Sequence, residues 1–162
     1  MGQIDYIFRE IGRLQAVFAK ILNLTRIGNH EEADEIIKVV LKSLSGLNIE
    51  LFAAFRTEDL LKMMRGYDED ITKNKKKLVS VSRLLHEHGN IETEKNKALG
   101  TAFFQQSLQI LVHALGIEQK ALNKTEKAML DKYLGKLEAS AITDKTRAEI
   151  QNILSRKPGI KK

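Results

Sequence analysis

The amino-acid sequence predicts an all-α fold, and three observations support that prediction. Apolar residues recur at steps of three and four along most of the chain, which places them on one face of a helix. No segment shows sustained alternation of apolar and polar residues, so no sheet is expected. The composition is 43% hydrophobic and 30% charged with a single proline, the balance of a soluble, packed helical protein. We therefore expect about seven helices, joined by short turns and packed as antiparallel hairpins.

The first two predicted helices form a pair around a glycine turn. Residues 5–24 carry a continuous apolar stripe, and Asp5 suits the N-cap because a carboxylate there accepts from free first-turn amides. Gly28 permits the backbone reversal that follows. The second helix is expected over residues 30–44, with acidic residues in its first turn and Ser45-Gly46 closing it.

The middle of the chain contains two shorter segments and a third amphipathic helix. Residues 47–55 form an apolar connector that we expect to pack on the core, with its conformation left open. Thr57 is the expected N-cap of a short helix that ends at Gly66. A helix over residues 70–88 is predicted to stop at Gly89-Asn90.

The remaining helices include the one expected to be longest and most central, residues 91–115. Its small residues allow a neighbouring backbone to approach closely: Ala98, Gly100 and Ala102. Asn123 with Glu126 predicts a capping box at the start of the next helix. A last helix is expected over residues 143–155.

Length and composition predict one domain over residues 1–156 and a flexible basic tail over residues 157–162. The absence of cysteine excludes disulfides, thiol catalysis and thiolate metal sites, and it fits a reducing cytoplasm. The first apolar run is interrupted by charges at Arg9, Glu10 and Arg13, so we expect neither a signal peptide nor a membrane span.

One segment resembles the second half of a tetratricopeptide repeat. In Gly28-Asn29-His30-Glu31-Glu32-Ala33, the glycine would begin the turn and the alanine would pack against the partner helix, with bulky residues following. Two features depart from the repeat, because Ile21 stands where a small residue is usual and no proline follows Leu44. The resemblance implies a right-handed array of helical hairpins.

The order of motifs over roughly residues 4–115 also resembles a family of small uncharacterised bacterial proteins with tetratricopeptide-like hairpins. Three motifs carry this resemblance: Asp5-Tyr6-Ile7, Thr57-Glu58-Asp59-Leu60-Leu61 and Leu84-Leu85-His86-Glu87-His88-Gly89-Asn90-Ile91. The family implies a fold and no activity, cofactor or catalytic residue. The chain from Gly116 onward lies outside these motifs.

A lysine cluster is the clearest candidate contact for an anionic partner. The net charge is +6, and the cluster comprises Lys73, Lys75, Lys76 and Lys77. Such a group can neutralise nucleic-acid phosphates. The alternative is a solvated helix face, which we favour because no aromatic residues interleave with the lysines and tryptophan is absent.

Other polar residues have a structural interpretation that we favour over a chemical one. His86 and His88 are two residues apart, and on a helix such side chains point in different directions, so a shared metal is not expected. His113 lies within an apolar helix, and we expect it to be half-buried and hydrogen-bonded rather than a general base. Carboxylate pairs at predicted helix starts are expected to cap and to be solvated.

We therefore predict a non-enzymatic, cytoplasmic protein-protein interaction or scaffold module, which takes a peptide or helix of another protein on its concave face. The alternative is an accessory nucleic-acid-binding protein that uses the cluster at residues 73–77. Self-association into a homo-oligomer is left open. No catalytic residue, cofactor or metal is predicted, and a buried His113 beside a carboxylate is the observation that would favour an enzyme.

Overall fold

The computed structural model describes the backbone of residues 3–64 and 71–157, and the side chains of residues 13–64 and 74–157. These parts of the chain form eight α-helices, one turn of 3₁₀-helix (Ala139–Ala141) and no strand, which confirms the predicted all-α class. The helices are α1 (Gln3–Arg26), α2 (His30–Ser45), α3 (Ile49–Ala54), α4 (Thr57–Met63), α5 (Ile71–Thr93), α6 (Lys97–Gly116), α7 (Lys124–Leu134) and α8 (Asp144–Leu154).

Helices α1 and α2 follow the sequence prediction closely. Gly28 has φ of +86° and Gly46 has φ of +78°, so both glycines take the left-handed conformation that ends a helix. The side chain of Asn29 accepts a hydrogen bond from the amide of Glu32 at 3.3 Å and caps α2. The predicted N-cap at Asp5 is wrong, because α1 begins at Gln3 and Asp5 lies inside its first turn.

The connector at residues 47–55 is itself largely helical, since α3 occupies most of it. Phe52 is fully buried there, which confirms that the connector packs on the core. The side-chain amide of Gln106 donates to the carbonyls of Phe52 and Phe55, both at 2.9 Å, and so satisfies the open end of α3.

Thr57 is not the N-cap of α4, because that helix begins at Thr57 itself. Its hydroxyl lies within hydrogen-bond distance of the side-chain oxygens of Gln106 and Gln109, so the side chain fastens α4 to α6 instead of capping its own helix. The expected stop at Gly66 and the start at residue 70 lie outside the described residues.

The predicted stop at Gly89-Asn90 is wrong, as is the single helix over residues 91–115. Helix α5 continues to Thr93, the turn occupies residues 94–96, and Asn96 caps α6 by accepting from the amide of Leu99 at 3.1 Å. Gly89 lies within α5 because the ring of Phe104 packs there: a Cβ atom would be 2.8 Å from it. At 24 residues, α1 is the longest helix in the described residues.

Helices α5 and α6 share a close interface. The hydroxyl of Ser82 donates to the carbonyl of Ser107, and the hydroxyl of Ser107 donates to the carbonyl of Ser82, each at 2.7 Å. Towards the turn, Gly100 lies so close to Thr93 that a Cβ atom would be 2.8 Å from its Cα. The predicted close approach at Gly100 is confirmed, and the pairs show that the two helices run in opposite directions.

Two hydrophobic clusters form the interior, and α6 contributes to both. The larger cluster contains residues from each of the helices α1 through α5 and from one side of α6. That side of α6 includes Ile110 and Ala114. The smaller one joins the other side of α6, with Leu111 and Leu115, to α7 and α8. Residues 91–115 were expected to be central to the core. The part of that range that belongs to α6 is central, because it contributes to both clusters.

The helix starts in the C-terminal third agree with the sequence prediction. Asn123 and Glu126 form the predicted capping box at the start of α7. The side chain of Thr143 caps α8 by accepting from the amide of Thr146 at 3.1 Å. Within the described parts of the chain, no helix combines the length and the apolar character needed to cross a lipid bilayer.

Candidate functional site

A groove of about 570 Å³ runs over α5. Helix α1 forms one wall, and the segment that joins α6 to the first turn of α7 forms the other. We call this site the α5 groove and define it by six of its lining residues: Leu14, Phe18, Val79, Arg83, Glu118 and Lys120. Its volume lies within the range of about 300–1,000 Å³ that is usual for ligand pockets.

The floor of the α5 groove is apolar. Leu14 and Phe18 are buried one helical turn apart on α1, and Val79 is half-buried on α5, where it touches both hydrophobic clusters. The guanidinium of Arg83 lies 3.9 Å from the centroid of the Phe18 ring, a cation–π contact. The core therefore holds this surface rigid, with a charged group stacked at its edge.

Ion pairs line the opposite wall. The Lys75 ammonium is 2.8 Å from a carboxylate oxygen of Glu126 and 3.7 Å from one of Glu118. Glu118 also accepts from Lys120 at 2.7 Å, and this hydrogen bond lowers the pKa of Glu118 below its ordinary value despite the opposing effect of burial. Four side chains thus form a continuous chain of alternating charge across the groove.

The charge of the groove is positive on balance. Among the described lining residues, four are cationic and two anionic: Lys75, Lys76, Arg83 and Lys120 against Glu118 and Glu126. Lys120 lies at the solvent-facing edge, where its side chain is 68% exposed, whereas that of Lys75 is 15% exposed. The rim of the groove therefore attracts anionic groups, and its floor favours apolar ones.

The structure does not bring the predicted lysine cluster together on one face. Lys75 and Lys76 line the α5 groove, whereas Lys77 is only 3% exposed. The side chain of Lys73 lies outside the described residues. The sequence analysis did not identify Arg83, although it follows Lys75 at a spacing of eight, which is the same face of a helix.

His86 and His88 point towards different elements. The His86 ring stacks on Tyr133 of α7, with centroids 3.9 Å apart and an interplanar angle of 6°. The His88 ring lies against α2, with its Nδ1 atom 2.5 Å from a carboxylate oxygen of Asp34. The two imidazoles therefore do not converge on one point.

Asp34, His88 and Glu92 form the tightest cluster of metal-ligating side chains, with one ligand atom from each lying within 4.8 Å of the others. The two carboxylates, however, face opposite edges of the ring, because Asp34 contacts Nδ1 and Glu92 lies 3.8 Å from Nε2. The second oxygen of Asp34 is 3.2 Å from the Lys38 ammonium. This arrangement suits a hydrogen-bonded network between α2 and α5 better than a shared metal ion.

The pKa of Asp34 reflects that network. Burial raises it, but the hydrogen bonds and charges of His88 and Lys38 outweigh burial and lower the pKa below its ordinary value of 3.8. The carboxylate is therefore held in its charged form and stabilises the contact between α2 and α5.

His113 is half-buried, as the sequence analysis expected, and it borders two smaller clefts of about 250 and 360 Å³ together with Glu149. Burial lowers the pKa of His113, and the charge of Glu149 partly opposes that effect. The described structure shows no hydrogen bond between the two side chains.

Comparison with protein-family models, with curated proteins and with solved structures gave no match. The geometry and charge of the chain itself are therefore what indicate its function. Those features define an all-helical protein with an open groove that has an apolar floor and a cationic rim.

Proposed function

We propose that this protein is a non-enzymatic interaction module of the cytoplasm that binds a segment of another protein in the α5 groove. The observation that carries the proposal is the strip of α5 that the described residues leave uncovered between α1 and the α6–α7 segment. Amphipathic helices bind in hydrophobic grooves of this kind, with residues spaced by three or four as anchors. The firm apolar floor and charged rim match the usual arrangement of a protein interface, which has an apolar centre and a polar edge.

The proposal includes a tetratricopeptide-like arrangement of helical hairpins, which is the class of scaffold that the sequence resembles. Two features support it. The turn between α1 and α2 uses a left-handed Gly28, and Ala33 is fully buried, as the resemblance implies for an alanine that packs on the partner helix. Arrays of helical hairpins commonly present such grooves to peptides and helices.

Nucleic-acid binding through the lysine cluster is the alternative function. The placement of the lysines ranks it second, because Lys77 is buried and Lys75 lies between two carboxylates. A phosphate backbone needs several accessible cations in a row, and Glu118 and Glu126 interrupt such a row in the groove.

The test is a selection of binders from a random library of helix-length peptides, with the full chain as bait. Ser80 lines the groove and is half-buried, so Ser80→Trp fills the groove without removing a charge. Ser43 is a half-buried serine on α2, outside the groove, and Ser43→Trp is the matched control. Circular dichroism establishes that both variants remain folded.

We expect the selected peptides to bind the unmodified chain and Ser43→Trp equally, and to lose at least about tenfold in affinity for Ser80→Trp. Failure to select any peptide, or equal binding to both variants, would overturn the proposal. A single-stranded oligonucleotide that binds the chain and dissociates steeply with added salt would instead support the nucleic-acid alternative.

A further inference from the structure

We infer that the partner segment is an acidic amphipathic helix, whose apolar residues cover Val79 while its carboxylates meet Arg83 and Lys120. This inference rests on the proposed function, because it names the chemistry of the segment that the α5 groove would bind. Three properties of the groove support it: its shape, its charge and the way Arg83 is held.

The shape of the groove suits a short helix. Lys75, Val79 and Arg83 follow one another at successive helical turns on α5, which makes a strip about 12 Å long at 1.5 Å per residue. Leu14 and Phe18 repeat the same spacing on α1. A ligand helix of two to three turns that lies along this strip presents residues at matching intervals of three and four.

The charge of the groove selects an acidic segment. The described lining residues carry a positive excess, and exposed Lys120 shares its carboxylate partner, Glu118, with Lys75. Over the described lining as a whole, four cationic side chains face two carboxylates, so an added carboxylate meets more positive than negative charge. A basic segment would meet the ammonium and guanidinium groups of the rim and be repelled.

Arg83 is held in a way that leaves it able to bind a carboxylate. The central carbon of its guanidinium lies 3.9 Å from the centroid of the Phe18 ring. The N–H donors of a guanidinium lie along its edges in a fixed fork, more of them than a contact with one ring can occupy. Carboxylates bind such edges in pairs of parallel hydrogen bonds, which gives both strength and orientation.

A nucleic acid fits the same groove less well. Single strands bind where bases stack on open aromatic faces along an unbroken cationic track. Here Arg83 already covers the Phe18 ring, and the carboxylates of Glu118 and Glu126 lie along the opposite wall. A phosphate backbone is negative at every unit and would meet these carboxylates, whereas a helix can place its carboxylates at Arg83 and Lys120 alone.

The experiment measures the binding of two labelled synthetic helical peptides to the full chain by fluorescence anisotropy. Both carry leucines at intervals of three and four, one with glutamates beside them and the other with lysines. Two charge-reversal variants are compared. Lys120→Glu alters the groove, and Lys145→Glu is the matched control, since the Lys145 side chain is 70% exposed and lies 3.0 Å from Glu58, outside the groove.

We expect the acidic peptide to bind more tightly than the basic one, and Lys120→Glu to weaken it about fivefold while Lys145→Glu does not. Equal binding of the two peptides, equal effects of the two reversals, or displacement of the acidic peptide by an oligonucleotide at the same salt concentration would overturn the inference. If the library yields basic or uncharged peptides that Ser80→Trp still excludes, the proposed function stands and only this inference fails.

Discussion

Replacement of His86 by phenylalanine should remove a large part of the acid sensitivity of this protein. The His86 side chain is 1% exposed, and within the described parts of the chain neither of its ring nitrogens has a hydrogen-bond partner. It stacks on Tyr133 and lies 5.1 Å from the ring of Phe104. Burial, with a smaller contribution from the charges of Lys132 and Lys136, lowers the pKa of His86 from 6.5 to about 3.

The lowered pKa determines the sign and size of the effect. As the pH falls below 6.5, the unfolded chain takes up a proton on this histidine, whereas the folded protein does not until about pH 3. The free energy of unfolding therefore decreases through this interval by about 1.4 kcal/mol per pH unit, or about 2 kcal/mol between pH 6.5 and pH 5. Phenylalanine at this position binds no proton in either state.

The assay is urea denaturation of the wild type and His86→Phe at pH 7, 6 and 5, with unfolding monitored by circular dichroism. We expect the stability difference to shift in favour of the variant by about 2 kcal/mol between pH 7 and pH 5. Other titrating groups, including His113, are present in both proteins and cancel in this difference. His86→Leu removes the aromatic stacking as well, and it should show the same pH dependence from a different starting stability. A difference that stays constant from pH 7 to pH 5 would refute the reasoning.

Two further predictions concern the contacts of α5 with its neighbours. Gly100→Ala should lower the stability by about 3 kcal/mol, because the added Cβ atom would overlap the hydroxyl of Thr93 and lie 2.8 Å from its Cα, which would force α5 and α6 apart. Thermal unfolding measures the loss, which should be smaller when Thr93→Ala is also present. Asp34→Asn should cost about 1–3 kcal/mol at neutral pH, because it removes a buried charged partner of His88 and Lys38. Since the pKa of Asp34 is lowered, its contribution is present above 3.8 and is lost as the pH falls through the folded value, so the difference from wild type should shrink in acid. An unchanged difference in denaturation midpoint down to pH 2 would contradict this account.

Local sequence signals predicted most of the helices because the apolar stripes and caps depend on neighbouring residues. The left-handed glycines and the capping box at Asn123 are of this kind. Gly89-Asn90 carries the same local signal as a helix end, yet α5 continues through it. A tertiary contact accounts for a glycine inside the helix, since the Phe104 ring packs where a Cβ atom would lie.

The α5 groove could not be predicted because its walls come from three distant parts of the chain. The sequence shows Lys75 within a cationic run, and only the folded structure shows that Glu118 and Glu126 lie beside it. In the same way, Thr57 has the residue type of an N-cap, but the side chains of Gln106 and Gln109 on α6 engage its hydroxyl. Such long-range contacts outweigh the capping preference of a residue type, and the spacing of residues in the sequence does not reveal them.

The position of α6 between the two hydrophobic clusters has a consequence for how this chain can be divided. Leu111 and Leu115 on one side of α6 are covered by α7 and α8, whereas Ile110 and Ala114 on the other are covered by the earlier helices. A truncation after Gly116 would therefore uncover one whole side of the most apolar helix and leave the remainder prone to aggregate. The boundary between the two hydrophobic clusters runs along the axis of α6, so a fragment that ends or begins at this helix contains no complete core.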